Sequence, residues 1–91
     1  MTAPASRTVL IENKRGLHAR ASAKFVTLAS TLTTPVEVAK DGNKVCGTSI
    51  MGLMMLGAAR GDSIEISASG DGADEAVAVL SALVEDKFGE E

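Results

Sequence analysis

The stretch Lys14-Arg15-Gly16-Leu17-His18-Ala19-Arg20-Ala21-Ser22-Ala23 holds the only histidine of the chain and marks a passage from strand to helix. From here Leu17, Ala21, Phe25, Leu28 and Leu32 recur every three or four residues, the spacing of one helix face. Gly16 precedes them and lets the incoming strand turn sharply, which puts His18 at the mouth of the helix. The first turn of a helix carries amides without intrahelical partners, together with partial positive charge from the macrodipole. No Ser, Thr, Asp or Asn stands between positions 16 and 21 to cap them, so the amides of Ala19, Arg20 and Ala21 are expected to be open to an anion. Arg20 adds a planar fork of donors that suits phosphate oxygens. His18 adds a nucleophilic nitrogen that is available near neutral pH. Together these residues describe a site that takes a phosphoryl group onto histidine. The competing reading of a lone histidine at a helix start is a plain surface residue.

The chain on either side reads as alternating strands and helices. Thr8-Val9-Leu10-Ile11 is a first strand with Val9 and Ile11 on one face, and residues 1–6 before it form a loose lead. The helix after Gly16 runs to about Thr31 and ends before Pro35, because the residue preceding proline disfavours helix. Val36-Glu37-Val38-Ala39-Lys40 alternates as a strand, and Asp41-Gly42 signals a tight hairpin into a third strand over residues 43–47. Ile50 to Ala59 lacks any polar side chain. It is too short to cross a bilayer, which needs about 20 residues, and reads as a short helix with Ser49 as its N-cap. Met51, Met54 and Met55 are polarizable and adaptable, features of a docking surface. A chain this small cannot bury the whole run, so Met51, Leu53 and Met54 are expected to form an exposed patch, the alternative being core. Asp62–Ala68 gives a fourth strand with Ile64, Ile66 and Ala68 inward. A last helix spans about Ala73 to Phe88, with Ala76, Leu80, Leu83, Val84 and Phe88 on its buried stripe and Gly89 as its cap. Residues 89–91 are expected to be loose.

The order β-α-β-β-α-β-α describes an α+β fold in which helices cover one apolar sheet face and water covers the other. At 91 residues the chain makes one domain. A formal net charge of −3 and only two aromatics argue against a nucleic-acid binder. Charge is nonetheless uneven. Lys14, Arg15, Arg20 and Lys24 surround His18 with Glu12 as the single local acid, while the segment after Gly70 is strongly acidic. Such a basic rim steers phosphoryl groups and acidic partner surfaces toward the histidine, or is simply a solvated face. Cys46 is alone, and with one histidine neither a disulfide framework nor a zinc site is expected. The first residues lack the apolar run of a signal peptide, which points to the cytoplasm.

Asn13-Lys14-Arg15-Gly16-Leu17-His18-Ala19-Arg20 resembles the active-site segment of HPr, the histidine-phosphorylated carrier family of the bacterial phosphotransferase system. Thr48-Ser49-Ile50-Met51-Gly52-Leu53-Met54 resembles the regulatory-serine segment of the same family, and the agreement extends from about Ser6 to Phe88. The family pattern usually continues His-Ala-Arg-Pro, whereas Ala21 stands here; alanine keeps helix propensity and leaves one more amide donor. The resemblance implies an open-faced β-sandwich, with a four-stranded antiparallel sheet in the order 1-4-2-3 and three helices on one face. It implies that His18 accepts phosphate at Nδ1, that Arg20 and the amides of Ala19 and Arg20 stabilise it, and that no cofactor is needed. Enzyme I would be the donor, an enzyme IIA-type protein of a sugar-transport or nitrogen-regulatory branch the acceptor, and a monomer the working form. An HPr kinase/phosphorylase would act on Ser49, for which an unmodified N-cap is the alternative.

Two rival functions are weaker. An independent enzyme with His18 as general base lacks a nucleotide loop of the G-x-x-x-x-G-K type and a histidine–carboxylate pair at short spacing. A regulatory binding module controlled at Ser49, with His18 idle, leaves the adjacent arginine without a task.

Overall fold

A computed structural model describes residues 4–90, so the expectations for residues 1–3 and 91 lie outside the described residues. The elements are β1 (Ala5–Leu10), α1 (Ala19–Ser30), β2 (Val36–Lys40), β3 (Asn43–Cys46), α2 (Ile50–Met55), β4 (Ser63–Ala68) and α3 (Ala73–Glu85). The strands form one antiparallel sheet in the order β1-β4-β2-β3, as the resemblance implied. Val9 of β1 stands opposite Ile64 of β4, and Val38 of β2 opposite Ile66, so apolar pairs lie together on one face. Glu65 and Ser67 alternate between them and point the other way. Ala21, Phe25 and Ala29 of α1 and Ala76, Leu80 and Val84 of α3 are buried against the apolar face. The hairpin between β2 and β3 has Asp41 at φ 51° and Gly42 at φ 84°, the left-handed pair of a type I′ turn.

Several boundaries differ from the sequence reading. α2 stops at Met55 instead of running to Ala59. β1 begins at Ala5 instead of Thr8, because Ala5, Ser6 and Arg7 pair with Ala68, Ser67 and Ile66. Pairing with a neighbouring strand orders residues whose own β-propensity is weak, so Ala5 and Ser6 are not loose. At the other end α3 stops at Glu85 instead of Phe88. Lys87 and Phe88 both take φ 57°, a left-handed conformation that costs about 1–2 kcal/mol per residue outside glycine. Complete burial of the Phe88 ring holds it there, and that burial had extended the helical stripe in the sequence. Leu83 is only half-buried, while Ala73, Val77 and Ser81 complete the buried face.

The left-handed turn over Lys87–Gly89 sends the chain back toward α1. There the Lys24 ammonium donates to the Phe88 carbonyl at 2.7 Å. Glu90 follows, half-buried and fixed, where a loose end was expected. Among the described residues no helix is long and apolar enough to cross a membrane.

Candidate functional site

The loop between β1 and α1 is shaped by backbone fit as much as by hydrogen bonds. Gly16 has φ 61°, and the Leu17 amide donates to the Ala58 carbonyl at 3.0 Å. Asn13 is buried, and its side-chain amide donates to the Gly16 carbonyl at 2.8 Å, closing the loop from inside. Leu17 is buried in the core, which leaves the next residue at the rim.

That residue, His18, is itself the N-cap of α1. Its backbone is extended, its carbonyl accepts from the Ser22 amide at 2.9 Å, and its Nδ1 accepts from the Arg20 amide at 3.3 Å. The expectation of three open amides therefore needs correction at Arg20. Preference tables for caps name short oxygen-bearing side chains, but an imidazole nitrogen two bonds beyond Cβ reaches the same donor. The contact is long for a hydrogen bond, so a stronger acceptor can displace it. Among the described residues no protein acceptor meets the amides of Ala19 and Ala21. Arg20 itself is exposed.

The other ring nitrogen has a partner that sequence reasoning missed. His18 Nε2 lies 2.7 Å from Glu90 Oε2, and the second carboxylate oxygen accepts from the Asn13 side-chain amide at 3.2 Å. A carboxylate only accepts, so Nε2 carries the proton and Nδ1 keeps its lone pair. Burial by itself would push the Glu90 carboxyl up. The hydrogen bonds from His18 and Asn13, with the nearby charge of Arg20, outweigh it and hold the group below the ordinary glutamate range. A lowered carboxyl contributes its stability above the unfolded value and loses it as pH falls through the folded one. The tail contact is thus expected to persist through neutral and mildly acidic pH. It should release only below the usual glutamate range, as followed by the chemical shift of the Glu90 carboxyl carbon. No position within reach in sequence could have suggested this pair, because 72 residues separate its members.

Lys14, Arg15, Arg20 and Lys24 line one depression with Gly89 and Glu90. The fold thus collects the basic residues expected around His18 into a single rim, and the incoming tail adds the one carboxylate.

Ser49 caps α2, its Oγ accepting from the Gly52 amide at 2.9 Å. Met51 is 72% exposed and Met55 80%, with Ile50 and Met54 also exposed. Leu53 is fully buried, so it drops out of the exposed patch. A six-residue helix has one inward face, and position 53 lies on it between the outward residues 51 and 54–55. Among the described residues no group of histidine, cysteine and carboxylate side chains is arranged to hold a metal ion.

Comparison with known proteins gives the family. The family model described as "PTS HPr component phosphorylation site" matches residues 5–86. Phosphocarrier protein HPr of Neisseria meningitidis serogroup A is 51% identical over 86 residues, covering 92% of this chain and 94% of that protein. Phosphocarrier protein NPr of Shewanella violacea is 39% identical over 84 residues, with 92% of each chain covered. The crystal structure of HPr-C-His from Thermoanaerobacter tengcongensis superposes with a TM-score of 0.90 at 47% identity, over 96% of this chain and 98% of that one. A match over nearly the whole length, in sequence and in fold together, means that the chain belongs to the HPr family of phosphocarrier proteins of the phosphotransferase system.

Proposed function

We propose that His18 is the residue that carries the phosphoryl group, taking it from phosphorylated enzyme I and giving it to an enzyme IIA-type acceptor. The observation that supports this best is the direction of the ring: Nε2 is committed to Glu90, and the lone pair of Nδ1 faces the open turn of α1. In the forward step that lone pair attacks phosphorus. The bond from phosphorus to the donor nitrogen breaks, and its electron pair stays on the donor ring. The phosphoryl oxygens then replace Nδ1 as acceptor for the Arg20 amide and occupy the amides of Ala19 and Ala21. The Arg20 guanidinium reaches in from the exposed side as a bidentate donor. Ala21 in place of the usual proline adds one amide to this cradle. The chain itself needs no cofactor, and most of the barrier is lowered by positioning within the complex with its partner.

The test mixes this protein, enzyme I and labelled phosphoenolpyruvate, and asks which residue holds the label; acid-labile, base-stable label on His18 is expected. Arg20→Ala is expected to slow transfer about tenfold to a hundredfold, since a charge-assisted hydrogen bond to phosphate contributes roughly 1.5–3 kcal/mol. Quench-flow with a fixed concentration of phosphorylated enzyme I reads it. An unchanged rate removes Arg20 from the site.

The exposed apolar residues of α2, Met51 and Met54 with Ile50 and Met55, form the docking patch for both partners, in a protein that works as a monomer. Ser49 is the regulatory site of an HPr kinase/phosphorylase. A phosphate on Oγ places negative charge at the start of α2, where the helix tolerates it, and beside the docking patch, where an acidic partner is repelled. Ser49→Asp should accordingly raise the KM for enzyme I several-fold without altering the fold, as read by steady-state transfer and circular dichroism. Ser49→Asp that docks as well as wild type contradicts the regulatory role.

A further inference from the structure

Every methionine after the first residue stands on α2, at positions 51, 54 and 55. Spacings of three and four residues set the three thioethers side by side on one face of that helix. Met55 is 80% exposed, Met51 72% and Met54 43%. Among the described residues the buried core holds no methionine and is built from Val, Leu, Ile, Ala and Phe. Leu53 and Leu56, both buried, anchor this segment to it. The oxidisable thioethers and the groups that hold the fold are therefore separate. The chain has neither tryptophan nor tyrosine, which leaves these sulfurs and Cys46 as its readily oxidised side chains.

We propose that Met51, Met54 and Met55 form a reversible oxidation site, at which peroxides turn the apolar face of α2 polar and so weaken docking of enzyme I. The inference rests on the docking reading of α2 given above. A thioether lone pair attacks one oxygen of hydrogen peroxide. The S–O bond forms as the O–O bond breaks, and the proton of the transferred hydroxyl passes to the departing hydroxide. Sulfur is oxidised by two electrons to the sulfoxide, and the peroxide is reduced to water. The return step takes its electrons from a dithiol through a methionine sulfoxide reductase: the oxygen leaves as water and the two thiols close to a disulfide. In the free protein the new oxygen faces solvent, so the fold bears no penalty. Against an apolar partner surface the same oxygen loses its water without replacement. The modification thus acts on association. It adds no charge, so in contrast to a phosphate on Ser49 its effect persists at high salt.

The test begins with hydrogen peroxide, followed by dithiothreitol. The second step is needed because Cys46 is also exposed, its Sγ 3.2 Å from Thr48 Oγ1, and meets the same oxidant. The dithiol returns sulfenic acid or disulfide to thiol while the sulfoxides stay in place. Mass spectrometry of the tryptic peptide over residues 45–60 is expected to show one added oxygen per methionine, on Met55 and Met51 before Met54. The oxidised protein is expected to keep its circular dichroism spectrum. Its KM for enzyme I should rise about tenfold, the scale of one polar group left unsatisfied in an apolar contact, and return after treatment with the reductase. A protein with Met51→Leu, Met54→Leu and Met55→Leu together, compared with itself before and after peroxide, should show no change. Absence of sulfoxide from α2, loss of the folded spectrum, an unchanged KM after oxidation, or an equal loss in the triple leucine protein would each overturn the inference. Met55→Glu, measured without peroxide, keeps the two readings apart. A raised KM there with no effect of oxidation overturns the oxidation site alone, whereas an unchanged KM in Met55→Glu overturns the docking patch itself.

Discussion

His18→Ala is expected to reduce labelling by enzyme I and phosphoenolpyruvate to background while leaving the protein folded. The loss is total because His18 is the sole histidine of the chain and the only imidazole that could take the phosphoryl group. Its fold cost is small. His18 contributes an N-cap to α1 through a 3.3 Å contact, and loss of a cap costs about 1 kcal/mol. His18→Asn sharpens the experiment: asparagine is a good N-cap and holds the helix start, yet offers no nucleophile. Both variants also lose the 2.7 Å bond to Glu90, yet both should stay folded and both should be unlabelled. Label retained on either one would move the acceptor elsewhere, with Ser49 the first place to look.

Gly16→Ala should be the most damaging single substitution in the loop that presents His18. A Cβ at position 16 would lie 2.3 Å from the Ala58 carbonyl oxygen and 2.8 Å from the Ala59 Cα, both backbone atoms that cannot rotate away. The position also has φ 61°, which costs an L-residue about 1–2 kcal/mol before any clash. Relief of the clash requires the loop to separate from the segment after α2, which breaks the bond from the Leu17 amide to the Ala58 carbonyl. Together these cost about 3 kcal/mol or more, a fall in Tm of roughly 15 °C for a domain of this size. Gly42→Ala is the matched comparison. It has φ 84° but nothing within 4 Å of the added carbon, so it should lose only the conformational part, about 1–2 kcal/mol. Thermal denaturation of the pair isolates the contribution of close packing under His18. Equal losses would mean that the approach of the two loops contributes nothing.

The features legible in the sequence were those written in local periodicity. Val9, Ile64 and Ile66 alternate, Leu17, Ala21 and Phe25 step by a helical turn, and Asp41-Gly42 specifies its own turn, so element type and order follow from neighbours in the chain. Ser49 was recognisable as a cap for the same reason. The sheet order came from the resemblance, since pairing of β1 with β4 depends on contacts distant in sequence. Phe88 misled because burial and helicity are different properties: its ring continues the apolar stripe of α3 while its backbone has already left the helix. Leu53 misled for the converse reason, a run without polar residues hiding which side of a short helix faces in. Glu90 could not be read at all. Its role depends on a left-handed turn, a lysine on α1 and a buried asparagine, none of which carries a local signal.

The most direct measurement of the central claim is nitrogen–phosphorus correlation on protein ring-labelled at His18 and phosphorylated by enzyme I. A one-bond coupling between phosphorus and Nδ1, with Nε2 still bearing its proton, is the expected spectrum. Coupling to Nε2, the atom that faces Glu90, or phosphorus found on any other residue, would contradict it.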